Sequence, residues 1–155
     1  MNQSRREALK AGAGMGLFGV LVAAGLLKPE VARAEWNKVA FDAKSLDEAL
    51  KALGASDAAE SGDVVLTAAD IAENGAVVPV AVSSKLPGAQ QIAILVEKNP
   101  NTLAATFTLP EGTMADIQTR VKMGQTSNVF ALVKAGDKFY MAKKEIKVTL
   151  GGCGG

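Results

Sequence analysis

The chain has 155 residues, of which 17 are basic and 16 acidic, so its formal net charge is only +1. This balance argues against a nucleic-acid-binding protein, which needs a concentrated basic face. The sequence contains one cysteine and no histidine, and zinc, copper and haem sites and a cysteine–histidine catalytic pair therefore lack the side chains they need. We expect no metal site, no cofactor and no catalytic residue in this chain.

Residues 1–34 have the features of a cleavable export signal. A twin-arginine pair, Arg5-Arg6, precedes an uncharged run rich in glycine, alanine and leucine over residues 11–27, and Ala32-Arg33-Ala34 offers the small residues that a signal peptidase needs. A retained membrane anchor is the alternative, but the glycines in the run and the cleavage site argue against it. We predict cleavage after Ala34, export to the periplasm by the twin-arginine route, and no membrane contact afterwards.

Removal of the 34-residue leader shortens the chain from 155 to 121 residues, which is enough for one domain with its own core. The leader holds five of the 17 basic residues and two of the 16 acidic ones, so the remaining chain has a formal charge of −2. We predict a single domain over residues 35–150. Its first segment contains Trp36 and Phe41, which are expected to anchor the chain against the core.

One short helix is predicted near the start of this domain. Ser45 is placed to cap its N-terminus, Glu48 three residues later completes a capping box, and Gly54 ends the helix. Four apolar residues fall on one face of the segment 45–53: Leu46, Ala49, Leu50 and Leu53. The residues that follow, 55–63, are small and polar and are predicted to form a loop.

β-Strand patterns occupy the rest of the domain. About seven short strands are predicted, over residues 64–67, 76–83, 91–97, 103–109, 115–123, 129–133 and, in two segments, 139–142 and 146–150. Strand 115–123 alternates between apolar and polar residues, which indicates one solvent-exposed face. The continuous apolar run 129–133 indicates burial on both faces. We therefore predict an all-β fold, an immunoglobulin-like antiparallel β-sandwich with a short N-terminal helix.

The strand over residues 76–83 leaves two questions open. Pro79 lacks a backbone N–H and cannot donate to a ladder, which favours an edge strand or a bulge. The apolar residues from Val77 to Val82 belong either to the core or to an exposed surface that binds a partner. Core burial is the more common arrangement for apolar strands in sandwiches.

The chain ends in Gly151-Gly152-Cys153-Gly154-Gly155. Glycine has no Cβ and few backbone restrictions, so Gly151, Gly152, Gly154 and Gly155 predict a flexible arm that carries Cys153. An odd cysteine in an exported protein indicates either a reactive thiol or an intermolecular disulfide. Cys153 is thus a candidate attachment site for sulfur compounds, because a thiolate forms reversible S–S bonds, or a staple between two copies of a structural module. A thiol enzyme in its own right is disfavoured because histidine is absent.

The terminal Gly-Gly-Cys-Gly-Gly, the stretch Glu73–Val80, the stretch Arg120–Val129 and the leader with paired arginines form a recognisable combination. Together they resemble the SoxY family, the cysteine-bearing subunits of periplasmic thiosulfate-oxidation carriers. The resemblance covers most of the chain. Only the leader departs from the pattern, at Ala8, where a phenylalanine is usual.

This resemblance implies that Cys153 is the attachment point for pathway intermediates and that the four glycines around it form a swinging arm. It also implies a SoxZ-like partner subunit, another sandwich, in a heterodimer or a higher assembly. Two enzymes are implied to dock transiently: a c-type cytochrome that joins thiosulfate oxidatively to the thiol, and a manganese hydrolase that releases sulfate. In this role the chain carries sulfur and is not an enzyme itself.

Overall fold

A computed structural model of the chain describes residues 37–149. Within this range the chain forms two helices, α1 (Lys38–Asp42) and α2 (Leu46–Leu53), and nine strands. The strands are β1 (Ala59–Glu60), β2 (Val64–Ala68), β3 (Ile71–Ala72), β4 (Val78–Ser84), β5 (Ala89–Val96), β6 (Leu103–Thr108), β7 (Asp116–Val121), β8 (Ser127–Ala135) and β9 (Lys138–Val148). Neither helix between residues 37 and 149 is long and apolar enough to cross a membrane. The leader, Trp36 and the predicted domain boundaries after residues 34 and 150 lie outside the described residues.

Helix α2 begins and ends where the sequence predicts. Ser45 Oγ accepts a hydrogen bond from Glu48 N (3.3 Å), and Glu48 Oε2 accepts one from the backbone N–H of Lys44 (3.0 Å), one residue before the cap. Gly54 follows the helix with a φ of 73°, a left-handed conformation that glycine adopts without steric strain. The N-terminal cap and the C-terminal glycine are therefore confirmed.

Helix α1 was not indicated by the sequence because its five residues are too few to show a helical period. Asn37 caps it through Oδ1, which accepts a hydrogen bond from Ala40 N (3.1 Å). The Nδ2 of the same side chain donates to Ala52 O in α2 (2.7 Å). Phe41 packs against the same hydrophobic cluster as α2, which confirms its predicted role as an anchor.

The strands form two sheets. The large sheet has six strands in the order β1-β9-β8-β5-β6, with β3 as a further neighbour of β9, and the small sheet has the order β2-β4-β7. The longer strands pair antiparallel, while the two-residue strands β1 and β3 run parallel to β9. The predicted immunoglobulin-like β-sandwich is confirmed, and the two short parallel pairings are a departure from a purely antiparallel arrangement.

Two hydrophobic clusters cover the two faces of the large sheet. The cluster between the sheets is aliphatic and includes Ile92, Ile94, Val96, Val129, Val133 and Ile146. The cluster under α1 and α2 includes Ala93, Leu95, Phe130 and Leu132. Successive residues of β5 and β8 point to opposite faces, and both faces are covered, so residues 92–96 of β5 and 129–133 of β8 are apolar and buried without interruption. This confirms the predicted burial of residues 129–133 on both sides.

The prediction that Pro79 marks an edge strand or a bulge is wrong, because β4 is the central strand of the small sheet and pairs with β7 without a register shift. The register shows how a proline is accommodated there. β2 pairs with β4 only from Val80 onward, so the only ladder partner of Pro79 is Arg120 of β7. The missing N–H thus lies where the central strand has a single neighbour, which is locally an edge position.

The apolar run of β4 belongs mainly to the core. Val78, Val80 and Val82 are at most 2% exposed and pack in the cluster between the sheets. Val77, just before the strand, is 48% exposed. Alternate burial of this kind is what a strand with one face on the core produces.

The two predicted segments 139–142 and 146–150 are one strand, β9, which runs over 11 residues from Lys138 to Val148. Polar residues at positions 143–145 interrupt the apolar pattern of the sequence but not the ladder, which pairs β9 with β8 without a break. The predicted loop 55–63 likewise contains β1, whose two residues add to the edge of β9. A two-residue strand has no period that a sequence pattern could show.

Candidate functional site at the end of strand β9

The five predicted site residues lie outside the described residues: Gly151, Gly152, Cys153, Gly154 and Gly155. The thiol as attachment point and the glycines as an arm therefore stay predictions. The structure does describe the strand that precedes that segment in the chain: β9 ends at Val148, and Thr149 is the last described residue. We name Val148 and Thr149 the arm root.

Three connecting segments lie at the same end of the sandwich as the arm root. The strand registers place them there: residues 73–77 lead from β3 into β4, residues 97–102 from β5 into β6, and residues 122–126 from β7 into β8. We name this the arm-root end. Residues 73–77 and 122–126 belong to the two internal stretches that carry the family resemblance, so the fold brings both of them to the end of β9, the last described strand before the terminal motif.

Hydrogen bonds hold the arm root on both sides. On one side, Thr149 N donates to Ala72 O (3.1 Å), which continues the pairing of β3 with β9. On the other side, Val148 N donates to Thr126 Oγ1 (3.0 Å). Thr126 lies one residue before β8 begins, so its hydroxyl extends the ladder beyond the last backbone pair. Both N–H groups of the arm root are therefore bonded, and the terminal segment starts from a fixed strand end.

Gly75 packs against the arm root with no room for a side chain. A Cβ at this position would lie 2.4 Å from Met123 O and 2.8 Å from Val148 Cγ1. The carbonyl of Gly75 accepts a hydrogen bond from Met123 N (2.7 Å). Asn74 shapes the turn, since its Oδ1 accepts a hydrogen bond from Ala76 N (2.9 Å). The backbone of Gly75 is thus in direct contact with both the β7–β8 connection and the arm root.

Asn99 ties the β5–β6 connection to the β7–β8 connection. Its Nδ2 donates to Lys122 O (2.6 Å) and its Oδ1 accepts from Gly124 N (3.2 Å). Close by, Ser127 Oγ accepts from Lys98 N (3.0 Å). All three segments at the arm-root end are therefore tied either to the arm root or to one another.

Two lysines of β9 form ion pairs with the short parallel strands and their surroundings. Lys143 Nζ lies 2.8 Å from Glu60 Oε1 in β1, and Lys144 Nζ lies 2.9 Å from Asp70 Oδ1, one residue before β3. The hydrogen bond from Lys144, and its charge, hold the pKa of Asp70 below its usual value. The hydrogen bond with Glu60 raises the pKa of Lys143. Solvent screens these exposed pairs, so their contribution to stability is small.

The residues that fix the arm root, Gly75 and Thr126, and the residue that links the connections beside it, Asn99, were not found from the sequence. The one available signal was the dipeptide Asn74-Gly75, which is typical of turns but does not say what the turn touches. Between residues 37 and 149, no group of three or more histidine, cysteine, aspartate or glutamate side chains is arranged to hold a metal ion.

Comparison with known proteins gives one family match and two similar solved structures. The sequence model of the family described as "Sulfur oxidation protein SoxY" matches residues 49–153. A solved structure described as the sulfur carrier protein SoxY from Chlorobium limicola f thiosulfatophilum is 36% identical, with a TM-score of 0.61 over 68% of this chain and 97% of that one. A superoxide reductase (neelaredoxin) from Ignicoccus hospitalis is 18% identical, with a TM-score of 0.51 over 64% of this chain and 87% of that one, and shares the fold alone. No curated protein matches the sequence.

Proposed function

The chain belongs to the SoxY family of sulfur oxidation proteins, and we propose on this basis that it is a sulfur carrier. It holds thiosulfate-derived sulfur on the thiol of Cys153 and presents it to separate oxidation enzymes. One observation supports this most strongly: the family match runs from residue 49 to residue 153, so it ends at the only cysteine in the sequence.

The chemistry at Cys153 requires partners of two kinds. Attachment joins the cysteine sulfur to the outer sulfur of thiosulfate, and this S–S bond forms with the loss of an electron pair. The electrons go to the conjugating enzyme, for which we propose a c-type cytochrome. Sulfate release is a hydrolysis in which water supplies the fourth oxygen while the outer sulfur stays on Cys153. We propose a manganese hydrolase for that step.

The arm root gives the carrier a fixed base. Its strand end is held by the bonds to Ala72 and Thr126, while the four residue-to-residue steps from Thr149 to Cys153 can extend by at most about 14 Å. A thiol on such a tether can enter the cleft of a partner while the sandwich stays outside it. We propose that Gly151, Gly152, Gly154 and Gly155 give this tether the freedom to fit more than one active site.

Membership in the SoxY family implies a SoxZ partner, and we propose that the two assemble as a heterodimer or a higher complex. We also propose a periplasmic location reached through the twin-arginine leader. That route moves folded proteins, so a partner without a leader can be exported together with this chain. Changing both Arg5 and Arg6 to Lys is expected to retain both subunits in the cytoplasm. Continued export of the partner, measured by cell fractionation, would count against co-export.

The function is tested by Cys153→Ser in cells that oxidise thiosulfate. Serine keeps the size of the side chain but cannot form an S–S bond, so thiosulfate consumption is expected to stop. The melting temperature of the purified variant is expected to match the wild type. Normal consumption would refute the carrier role.

The alternative function, an intermolecular disulfide between two structural modules, predicts a different result. The wild type would then be isolated as a covalent dimer that a reductant separates, and no sulfur-containing adduct would be found on the monomer. Electrophoresis with and without reductant, combined with the mass of the monomer, distinguishes the two functions.

A further inference from the structure

The contact between Gly75 and the arm root is unusual among the glycines of the sandwich. Gly75 is buried, and its absent side chain would meet a backbone oxygen, Met123 O, at 2.4 Å and a methyl group of Val148 at 2.8 Å. A side chain at Gly62 or Gly124 would meet nothing within 4 Å. Among the glycines of the described residues, Gly75 is the only one at which an added Cβ would force other residues, Met123 or Val148, to move.

Rotating a side chain cannot relieve the steric clash that a Cβ at position 75 would make. Its nearest atom belongs to the backbone of Met123, and that backbone is already bonded to Gly75 through a hydrogen bond of 2.7 Å. The next atom belongs to Val148, which is half-buried and packs against the core between the sheets. Relief therefore requires a shift of the 73–77 turn, of the β7–β8 connection, or of the end of β9. Because these three share contacts, a shift of one changes the environment of the arm root.

We propose that Gly75 is a positioning residue for the carrier thiol. Its missing side chain lets the turn at residues 73–77 lie directly on Val148, and this contact, together with the Thr126 hydroxyl, sets the point in space from which the terminal segment starts. The inference rests on the proposed function, in which Cys153 is delivered to an enzyme.

The short tether makes the position of the arm root matter. The effective concentration of a tethered group at its target is highest when the root-mean-square length of the tether matches the distance to the target, and it falls toward zero when the tether cannot span that distance. With a reach of about 14 Å from Thr149 to Cys153, a displacement of the arm root by about 1 Å takes a noticeable part of the available length. Where the geometry is rigid, misplacing a reacting group by about 1 Å can lower the reaction rate about 100-fold. A flexible tether makes this loss of rate smaller.

The test compares Gly75→Ala with Gly124→Ala in the full chain assembled with its partner subunit. Gly124 is one residue from Met123, yet its Cβ would meet nothing within 4 Å, so this variant controls for the added methyl group. We expect the kcat/KM for enzymatic attachment of thiosulfate to fall about fivefold or more for Gly75→Ala and to stay at the wild-type value for Gly124→Ala. The rate at which iodoacetamide alkylates Cys153 is expected to be the same in all three proteins, because the thiol itself is unchanged.

A second measurement reports the arm root without any enzyme. Spin labels on Cys153 and on Met114→Cys, an 81% exposed position on the β6–β7 connection, give a distance distribution by pulsed electron resonance. Gly75→Ala is expected to shift or broaden this distribution, and Gly124→Ala is not. An unchanged distribution, or an unchanged kcat/KM, would overturn the inference.

These outcomes are separable from failure of the proposed function. If the wild-type chain itself accepted no sulfur, the carrier role would be refuted and this inference with it. If the wild type accepted sulfur and Gly75→Ala did so equally well, only the role of Gly75 would be refuted.

Should Gly75→Ala fail to fold, Thr126→Val tests the same arm root by removing the acceptor of the Val148 N–H (3.0 Å). Thr126→Ser, which keeps the hydroxyl, is its control. A kcat/KM that falls for the valine variant and not for the serine variant supports the inference, and equal values overturn it.

Discussion

At the arm-root end of the sandwich, side chains link connections that are distant in the sequence, whereas at the opposite end the connections are joined through the backbone. We define the opposite end by residues 85–88, between β4 and β5, and residues 109–115, between β6 and β7. Asn99 and Thr126 reach partners 22 to 25 residues away at the arm-root end. Among the described residues of the opposite end, the side-chain hydrogen bonds are local, such as Ser84 Oγ with Leu86 N (3.2 Å).

The opposite end is also more open. Its two connections line a cleft of about 550 Å³, and Met114 beside it is 81% exposed. At the arm-root end, by contrast, Gly75 leaves no space for even a methyl group. The same strands run between both ends, so the difference lies in the connections. The long-range side-chain contacts between connections are therefore found at the arm-root end of the sandwich.

The largest effect is expected from cavities in the core next to the arm root. Ile146 of β9 is fully buried, and Ile146→Ala is expected to lower the free energy of unfolding by about 2–5 kcal/mol. Met114→Ala at the opposite end is expected to change it by less than about 0.5 kcal/mol. Urea unfolding of both variants provides the measurement. Equal losses would show that the two ends do not differ in packing as described.

A smaller loss of unfolding free energy is expected from Asn99→Ala, which removes the link between the β5–β6 and β7–β8 connections. Both hydrogen bonds are exposed, so water can bond the freed groups of Lys122 and Gly124, and each lost bond is expected to cost about 0.5–1.5 kcal/mol. Asn99→Asp keeps the acceptor for Gly124 N but loses the donor to Lys122 O, and an intermediate loss is expected. Ser84→Ala, which removes a local bond at the opposite end, is expected to cost less than about 1 kcal/mol. If it cost as much as Asn99→Ala, the contrast between long-range and local links would fail.

One substitution at the arm-root end is expected to stabilise the protein. Thr102 is fully buried, and its Oγ1 has no hydrogen-bond partner within residues 37–149. Thr102→Val replaces the hydroxyl with a methyl group and is expected to raise the free energy of unfolding by about 1 kcal/mol, since an unpaired buried hydroxyl is costly. Thr102→Ser keeps the hydroxyl and serves as the control. A loss of stability in the valine variant would show that the hydroxyl is satisfied in solution.

The smallest effect concerns Asp70 and pH. Lys144 lowers the pKa of Asp70 in the folded protein from 3.8, so the carboxylate binds fewer protons when folded than when unfolded in acid. The stability that this pair adds is fully present above about pH 4 and is lost as the pH falls through the folded pKa. Asp70→Asn is expected to be slightly less stable than the wild type at pH 7 and to approach it near pH 2. A difference that is independent of pH would contradict an electrostatic origin.

Much of the fold could be predicted from local patterns. The cap at Ser45, the left-handed Gly54 and the alternation along β7 depend on residues that are neighbours in the sequence, and each was placed correctly. The central position of β4 could not be predicted. Pro79 is compatible with a central strand only because β2 ends one residue short of it, and that depends on the register between two strands.

In the candidate site, too, some features follow from the local sequence and others depend on the fold. The terminal motif around Cys153 is visible in five consecutive residues, so the sequence alone was enough to single it out, and its role stays a prediction. Gly75 and Thr126 act on the arm root through contacts with Val148, which lies 73 and 22 residues further along the chain, respectively. Nothing in the composition of a turn reveals such a contact, because the contact of Gly75 depends on how the two sheets stack and that of Thr126 on the register between β8 and β9.

The most direct test of the central claim is the intact mass of the full chain isolated from cells that are oxidising thiosulfate. We predict a fraction of molecules that carry additional sulfur and oxygen atoms, located at Cys153 by fragmentation and removed by a reductant. A chain that is found only unmodified, or only as a reducible dimer, would contradict the account.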